Sequence, residues 1–191
     1  MKNALILHGT NGNSQENWFP WLESSLKELN WKVWVPNLPQ ANQPSTKRYR
    51  KFLFKSDWQF NKDSVLIGHS SAPLAICNLL QNLPDDVTVD TCIFIGAFYQ
   101  DHGWDSLDVS QLFIEDYNWE KIKTKAKKFI IIHADNDPYC PLSDAQWLAK
   151  TLNGQLIIQK GQKHFSIGTM GDKYKQFPFL LNTVTENEIK P

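Results

Sequence analysis

Cysteine is scarce in this chain and carries no pairing pattern. Cys77, Cys92 and Cys140 are three in number, widely spaced, with no C-x-x-C among them. That excludes a disulfide framework and a zinc site, and it fits a reducing, cytoplasmic setting in which each thiol is a small buried apolar group. Net charge is missing as well. With 20 basic and 20 acidic residues, no summed field draws the chain to nucleic acid or an anionic membrane, and neither is expected as a partner. No apolar stretch approaches the ~20 residues that span a bilayer, and the N-terminal run Ala4 to Leu7 stops at His8-Gly9. Neither export nor membrane insertion is expected. Internal repeats and low-complexity segments are absent too. The 191 residues therefore suit one compact domain over 1–191 with a single core, and small-molecule or peptide chemistry is the expectation. Thr185 to Pro191 reads as a frayed tail.

What is present is an alternation of short apolar runs with longer amphipathic stretches, the pattern of βαβ units around a parallel sheet. Six runs read as strands: Ala4 to Leu7, Lys32 to Val35, Ser64 to Ile67, Thr91 to Ile95, Phe129 to Ile132 and Gln155 to Ile158. Their Val, Ile, Leu and Phe content suits strands covered on both faces. Helical spacing marks Trp18 to Leu29, Thr46 to Phe60, Ala72 to Leu83 and Leu142 to Leu152, with a last helix from about Lys173 into the 180s. The fold class is α/β, a mostly parallel six-stranded sheet with helices on both faces. Phe98 to Lys125 breaks the pattern and reads as a short insertion. It is either a cover over a ligand cleft, with Phe98, Trp104, Phe113, Tyr117 and Trp119 as candidate lining, or an ordinary packing excursion.

Three segments carry chemistry. In Val65-Leu66-Ile67-Gly68-His69-Ser70-Ser71-Ala72-Pro73-Leu74 an apolar strand runs into a turn and then a helix, the context of a nucleophile elbow. A serine at 70 would stand at the C-terminal edge of the sheet, where open α/β sheets hold their sites. The helix beginning at Ser71 would supply an N–H and positive partial charge to an oxyanion. Ala72 occupies the final glycine of G-x-S-x-G, and Pro73 suits a first helical turn. Without further partners, Ser70 could equally be a helix cap.

The second segment, Phe129 to Pro141, is a buried strand delivering acids to its C-terminal end. Asp137 heads a D-P-x-x-P arrangement and is favoured over Asp135 as the group that orients a base, with turn stabilisation the alternative task for either. The third, Lys160 to Ser166, sets His164 on a loop after the last strand. Ser70, Asp137 and His164 come in the chain order of α/β-hydrolase triads. The remaining oxyanion donor should lie in the loop after the first strand, at the backbone N–H of Thr10 or, second, of Asn11. His8 is expected to stabilise that loop and His69 to pack inside the elbow; His102 and His133 have no comparable context.

These residues also resemble a known family, the small serine hydrolases related to YdeN and to retinoblastoma-binding protein nine. The carriers are His8-Gly9, Asn17 to Leu22, Asn37-Leu38-Pro39, Gly68 to Ser71, Trp119 to Ile122, Asp137 to Pro141 and Gly161 to Phe165. The resemblance implies a minimal α/β-hydrolase without a large lid, with Ser70, Asp137 and His164 as its triad. Asn136 stands where D-D-P variants carry an acid, and no L-x-C-x-E segment occurs, so a retinoblastoma-binding role has no support.

The leading expectation is a serine hydrolase that cleaves a carboxylic ester, amide or peptide bond through an acyl-enzyme on Ser70. Its substrate would be a small ester or short peptide, bound by Asn11, Phe98, Trp104 and Phe113, with no metal and no organic cofactor. The alternative, from another class, is a non-catalytic protein-binding module that keeps the fold, for which the eight tryptophans could supply a surface.

Overall fold

A computed structural model describes residues 1–104 and 108–185. Its six-stranded sheet has the order β2-β1-β3-β4-β5-β6, with every neighbouring pair parallel. The strands are β1 (Asn3–Leu7), β2 (Lys32–Trp34), β3 (Ser64–His69), β4 (Val89–Ile95), β5 (Ala126–Ala134) and β6 (Gln155–Gln159). All six expected strands are present. The central ones are buried along their length, whereas β2 and β6, at the edges, are partly exposed.

Alternation along each strand divides the core in two. Leu5, Leu66, Phe94 and Ile131 face one side, against α2 (Thr46–Phe54), α3 (Ala72–Gln81), α4 (Trp119–Thr124) and α5 (Leu142–Thr151). Ala4, Ile6, Ile67, Ile95 and Ile132 face the other, against α1 (Phe19–Glu28) and α7 (Pro178–Thr185). Side chains in a strand point alternately to opposite faces, so an unbroken apolar run serves both layers. A four-residue α6 (Ile167–Met170) completes seven α-helices among the described residues. None of these helices is long and apolar enough to cross a membrane.

Two expected helices need correction. The helix from Thr46 ends at Phe54 rather than Phe60, because the Ser56 hydroxyl donates to the Leu53 carbonyl at 2.6 Å and accepts the Trp58 N–H at 3.3 Å. Such local side-chain bonds compete with continued helix. The last helix begins at Pro178 rather than near Lys173; proline suits a first turn and disfavours helical conformation in the residue before it, and Gln176, two residues earlier, is extended. Gly171–Lys175 forms a 3-10 turn instead. Of the expected tail, Thr185 closes α7 and 186–191 lie outside the described residues.

The described residues of the insertion include a 3-10 turn, Ser110–Leu112, and α4, capped by the Asn118 side chain, which accepts the Lys121 N–H at 2.9 Å. Phe98, Val109 and Leu112 pack with Leu74 and Cys140 as a third apolar cluster on the C-terminal side of the sheet. Because the chain passes from β1 to β2 on one side and returns to β3 on the other, the direction of winding reverses between β1 and β3. The loops at that reversal diverge and leave a crevice.

Candidate active site

Ser70 occupies that crevice. Its φ of +61° is rare for a residue with a side chain, a strain of about 1–3 kcal/mol that the surrounding structure must hold. Its N–H donates to the Ile95 carbonyl at 2.9 Å, continuing the β3–β4 ladder beyond His69. Gly68 lets α3 fold back on the strand: a Cβ there would lie 2.9 Å from both the Pro73 nitrogen and Ile76 Cδ1. Ala72 is buried in the core, so the extra methyl at the last position of the elbow is accommodated.

His164 and Asp137 meet across 2.8 Å, His164 Nδ1 to Asp137 Oδ2, and both side chains are buried. Asp137 uses its other oxygen on the Tyr139 and Cys140 N–H groups, at 2.9 and 3.0 Å. Burial acts to raise the Asp137 carboxyl, but the His164 hydrogen bond and charge, with those two backbone donors, outweigh it and leave it below the ordinary carboxylate value. A carboxylate so held presents one oxygen to His164 Nδ1 and leaves Nε2 for a second partner.

The loop carrying His164 is pinned on both sides. Asp135 accepts the Gly161 N–H at 2.8 Å and Asn136 accepts the Lys163 N–H at 2.9 Å. Beyond the histidine, Trp18 Nε1 donates to the Phe165 carbonyl at 3.1 Å, and Asn17 accepts the Ile167 N–H at 2.8 Å. His69 Nε2 donates to the carbonyl of His164 itself at 2.8 Å. These bonds hold Lys163 and Phe165 at φ +47° and +52°. Asp135 thus bonds the loop backbone, and Asp137 is the acid that meets the histidine.

The loop after β1 is built on His8. Its Nε2 accepts the Leu38 N–H at 2.9 Å and its Nδ1 donates to the Gly9 carbonyl at 2.9 Å, which also accepts from Gly12. Gly9 lies so close to the elbow that a Cβ would fall 2.6 Å from Ser70 Cβ. Among the described residues the N–H groups of Thr10 and Ser71 donate to no protein acceptor, whereas that of Asn11 is committed to Ala41 at 2.8 Å. Of the two expected donors, only Thr10 thus keeps an uncommitted N–H. The sequence offered no sign that the Thr10 hydroxyl donates to the Ser71 hydroxyl at 2.9 Å, joining the two donor residues.

Ser70 and His164 share a cavity of about 350 Å³ with Thr10, Asn11, Phe98 and Trp104. Phe113, expected in the lining, stands behind it, its ring 6.4 Å from that of Phe98. Val109, Tyr139 and Cys140 line the cavity instead. Trp104 is held from the side by His102, whose ring lies 5.1 Å away and whose Nε2 meets the buried Asp144 carboxylate at 2.6 Å. No sequence signal links residues 102 and 144; only the fold brings them together.

Comparison with known proteins gives the family. A family model described as serine hydrolase matches residues 4–183. The chain belongs to the serine hydrolase family. Serine hydrolase RBBP9 of Rattus norvegicus is 25% identical over 167 residues, covering 85% of this chain and 86% of its own. YdeN of Bacillus subtilis (strain 168) is 25% identical over 168 residues, covering 86% of each. The crystal structure of the B. subtilis ydeN gene product superposes with a TM-score of 0.89 at 22% identity, over 97% of this chain and 98% of that one. Est1E of Butyrivibrio proteoclasticus, solved with ferulic acid bound, shares the fold at a TM-score of 0.69 and 14% identity, over 97% and 90%.

In this serine hydrolase the described residues hold one cluster with metal-ligand character, Asp137, Cys140 and His164, whose ligand atoms lie within 4.8 Å of one another. Burial pushes the Cys140 thiol up, with the Asp137 and Asp144 charges acting the same way, so it stays protonated and is a poor ligand.

Gly96, just beyond β4, is a site residue that the sequence reading missed. Its φ is +56°, and a Cβ there would come within 3.1 Å of His164 Cε1 and Nδ1 and 3.3 Å of Asp137 Oδ2. A glycine closing an apolar run at the elbow's level was the available signal. Gly96→Ala should displace the imidazole and lower kcat by roughly 10²-fold, the scale of a 1 Å misplacement. Unchanged turnover with a folded variant would show that His164 has room to spare.

Burial, and after it the charge of His164, push the His69 imidazole down to about 3; burial lowers His8 and His133 as well. A histidine lowered in the folded state contributes full stability above its unfolded value near 6.5, and that contribution is lost as pH falls toward the folded value. From pH 7 to pH 5, His69 alone should cost on the order of 2 kcal/mol. Urea denaturation at both pH values would measure it. His69→Gln should flatten the difference by about that amount, and an unchanged difference would remove His69 as its source.

Proposed function

We propose that this serine hydrolase cleaves a carboxylic ester, or a related amide, through an acyl-enzyme on Ser70. The observation that carries the reading is the His164 Nδ1 to Asp137 Oδ2 bond at 2.8 Å in the cavity that also contains Ser70 at its strained elbow. With Nδ1 committed, His164 Nε2 takes the Ser70 proton as Oγ attacks the substrate carbonyl carbon. The carbonyl oxygen becomes an oxyanion facing the N–H groups of Thr10 and Ser71, which have no protein acceptor among the described residues. The C–O or C–N bond to the leaving group then breaks, and His164 returns the proton to that group. Water then gives a proton to the same nitrogen as it attacks the acyl carbon, and collapse of that second tetrahedral intermediate breaks the bond to Ser70 Oγ, which takes the proton back from His164 as the acid leaves.

The cavity of about 350 Å³, walled by Phe98, Trp104, Val109 and Tyr139, suits a small apolar acyl group. Each added methylene contributes roughly 0.8 kcal/mol only while it is still being buried. On p-nitrophenyl esters, kcat/KM should therefore rise from acetate, peak at short to medium acyl chains and fall for long ones. A rise continuing through palmitate, or activation at a lipid surface, would exclude a short pocket. A fluorophosphonate probe tests the nucleophile without assuming any substrate. Labelling should map to Ser70, and a folded chain that takes no label would favour the protein-binding reading.

A further inference from the structure

Asp144 is a buried carboxylate that the hydrolytic steps do not use. It stands in the first turn of α5, and its N–H donates to the Pro141 carbonyl at 3.0 Å. That ties it to the loop from which Tyr139 and Cys140 line the cavity around Ser70. Its two oxygens take their donors from the insertion. His102 Nε2 meets Oδ2 at 2.6 Å, and the Tyr99 N–H and Gln100 Nε2 follow at 3.4 and 3.5 Å. Among the described residues, His102 is its only ion-pair partner.

The same His102 touches the opposite wall of the cavity. Its ring meets that of Trp104 edge to face, 5.1 Å away at 70°, and Trp104 has a second such contact with Phe98, at 4.9 Å and 67°. Phe98 is buried close to the end of β4, whereas Trp104 is half-buried and lies further out along the insertion. Two walls of one cavity therefore meet at one carboxylate, Tyr139 and Cys140 through the start of α5 and Trp104 through His102. A ring contact alone constrains its neighbour weakly. A short hydrogen bond to a buried carboxylate has a narrow range of distance and angle.

We propose that the His102–Asp144 pair sets the length of acyl chain this site accepts, by holding Trp104 as the wall at which the chain stops. Both are positioning residues, acting on specificity through Trp104. The chain-length role rests on the acyl-enzyme reading; the hold on Trp104 does not. Without His102, Asp144 keeps only its two longer bonds and Trp104 loses one of its two ring contacts, so the indole can turn aside and admit further methylenes. The acyl tail lies away from the reacting carbonyl, and room for it favours ground state and transition state alike. The effect therefore falls on KM rather than on kcat.

Kinetics on p-nitrophenyl acetate, butyrate, hexanoate and octanoate should be compared for the wild-type chain and for His102→Ala, Asp144→Asn and Trp104→Ala, with folding checked by circular dichroism. His102→Ala should move the preferred acyl chain about two carbons longer. It should raise kcat/KM on that ester on the order of tenfold, roughly fourfold for each newly buried methylene, through a lower KM and with no gain on acetate. Asp144→Asn keeps the size of the side chain and removes its charge, and should move the preference the same way, less far. Trp104→Ala should reproduce the His102→Ala profile, and the two changes together should shift it no further than either alone, since both act on one wall. An unmoved preference in both His102→Ala and Asp144→Asn, additive shifts in the double variant, or an equal loss of kcat on every ester would overturn the proposal. The indole N–H signal of Trp104, assigned by NMR through Trp104→Ala, needs no turnover. Asp144→Asn should displace it, the change passing through His102, and an unmoved signal would overturn the hold on Trp104. A displaced signal in a chain whose wild type hydrolyses none of the esters would sink the acyl-enzyme reading instead, and the chain-length role with it.

Discussion

Ser70→Ala is expected to remove ester hydrolysis almost entirely, by roughly 10⁶-fold in kcat, on the scale seen when the nucleophile of a Ser-His-Asp site is deleted. The effect is large because the elbow holds one hydroxyl at the reacting position. The neighbouring Ser71 hydroxyl cannot substitute, since its side chain is buried and bonded to Thr10. Residual catalysis would come from binding and from the N–H donors, which the variant retains. Fluorophosphonate labelling should vanish in the same variant. Turnover near the wild-type rate in a preparation free of contaminating esterases would mean that Ser70 is not the nucleophile. Ser71→Ala gives the contrast: its backbone N–H remains, so activity should survive, reduced by the loosening of Thr10.

Asp137→Asn should cost on the order of 10⁴ in kcat. An amide at that position can present its NH₂ to His164 Nδ1, which moves the imidazole proton to Nε2 and leaves no lone pair to accept from Ser70. Asp135→Asn should cost far less, because its bond to the Gly161 N–H needs only an acceptor oxygen, which asparagine keeps. Side-by-side kinetics of the two variants decide between the acids, and a larger loss at Asp135 would transfer the orienting role to it. The Asp137 carboxyl is also lowered in the folded state. Its contribution to stability is present above the unfolded value near 3.8 and is lost as pH falls through the lower folded value, so Asp137→Asn should flatten the acid limb of the stability curve.

Much of this was legible in the amino-acid sequence because the signals are local. Strand and helix periods depend on neighbours a few residues apart, so all six strands and the elbow between β3 and α3 could be read directly. The errors at Thr46 to Phe60 and near Lys173 were also local: the bonding of Ser56 and the restriction before Pro178 stop a helix whose apolar spacing would continue. The triad candidates could be ranked because chain order and strand ends are one-dimensional properties.

What only the tertiary structure decided are relations between residues far apart in the chain. Gly96 is needed because the imidazole of His164 and the carboxylate of Asp137 pass over its Cα. Thr10 rather than Asn11 keeps a free N–H because Ala41 happens to lie within reach of the latter. His102 meets Asp144, and Phe113 turns away from the catalytic cavity into a groove of its own, through contacts between elements that no periodicity encodes. The sequence by itself determined the class of fold and the three residues that could do acyl transfer, since both follow from local pattern and order. Shape, strain and hydrogen-bond commitment were decided only when the sheet brought its loops to one edge, because each depends on which distant groups compete for the same space and the same donors.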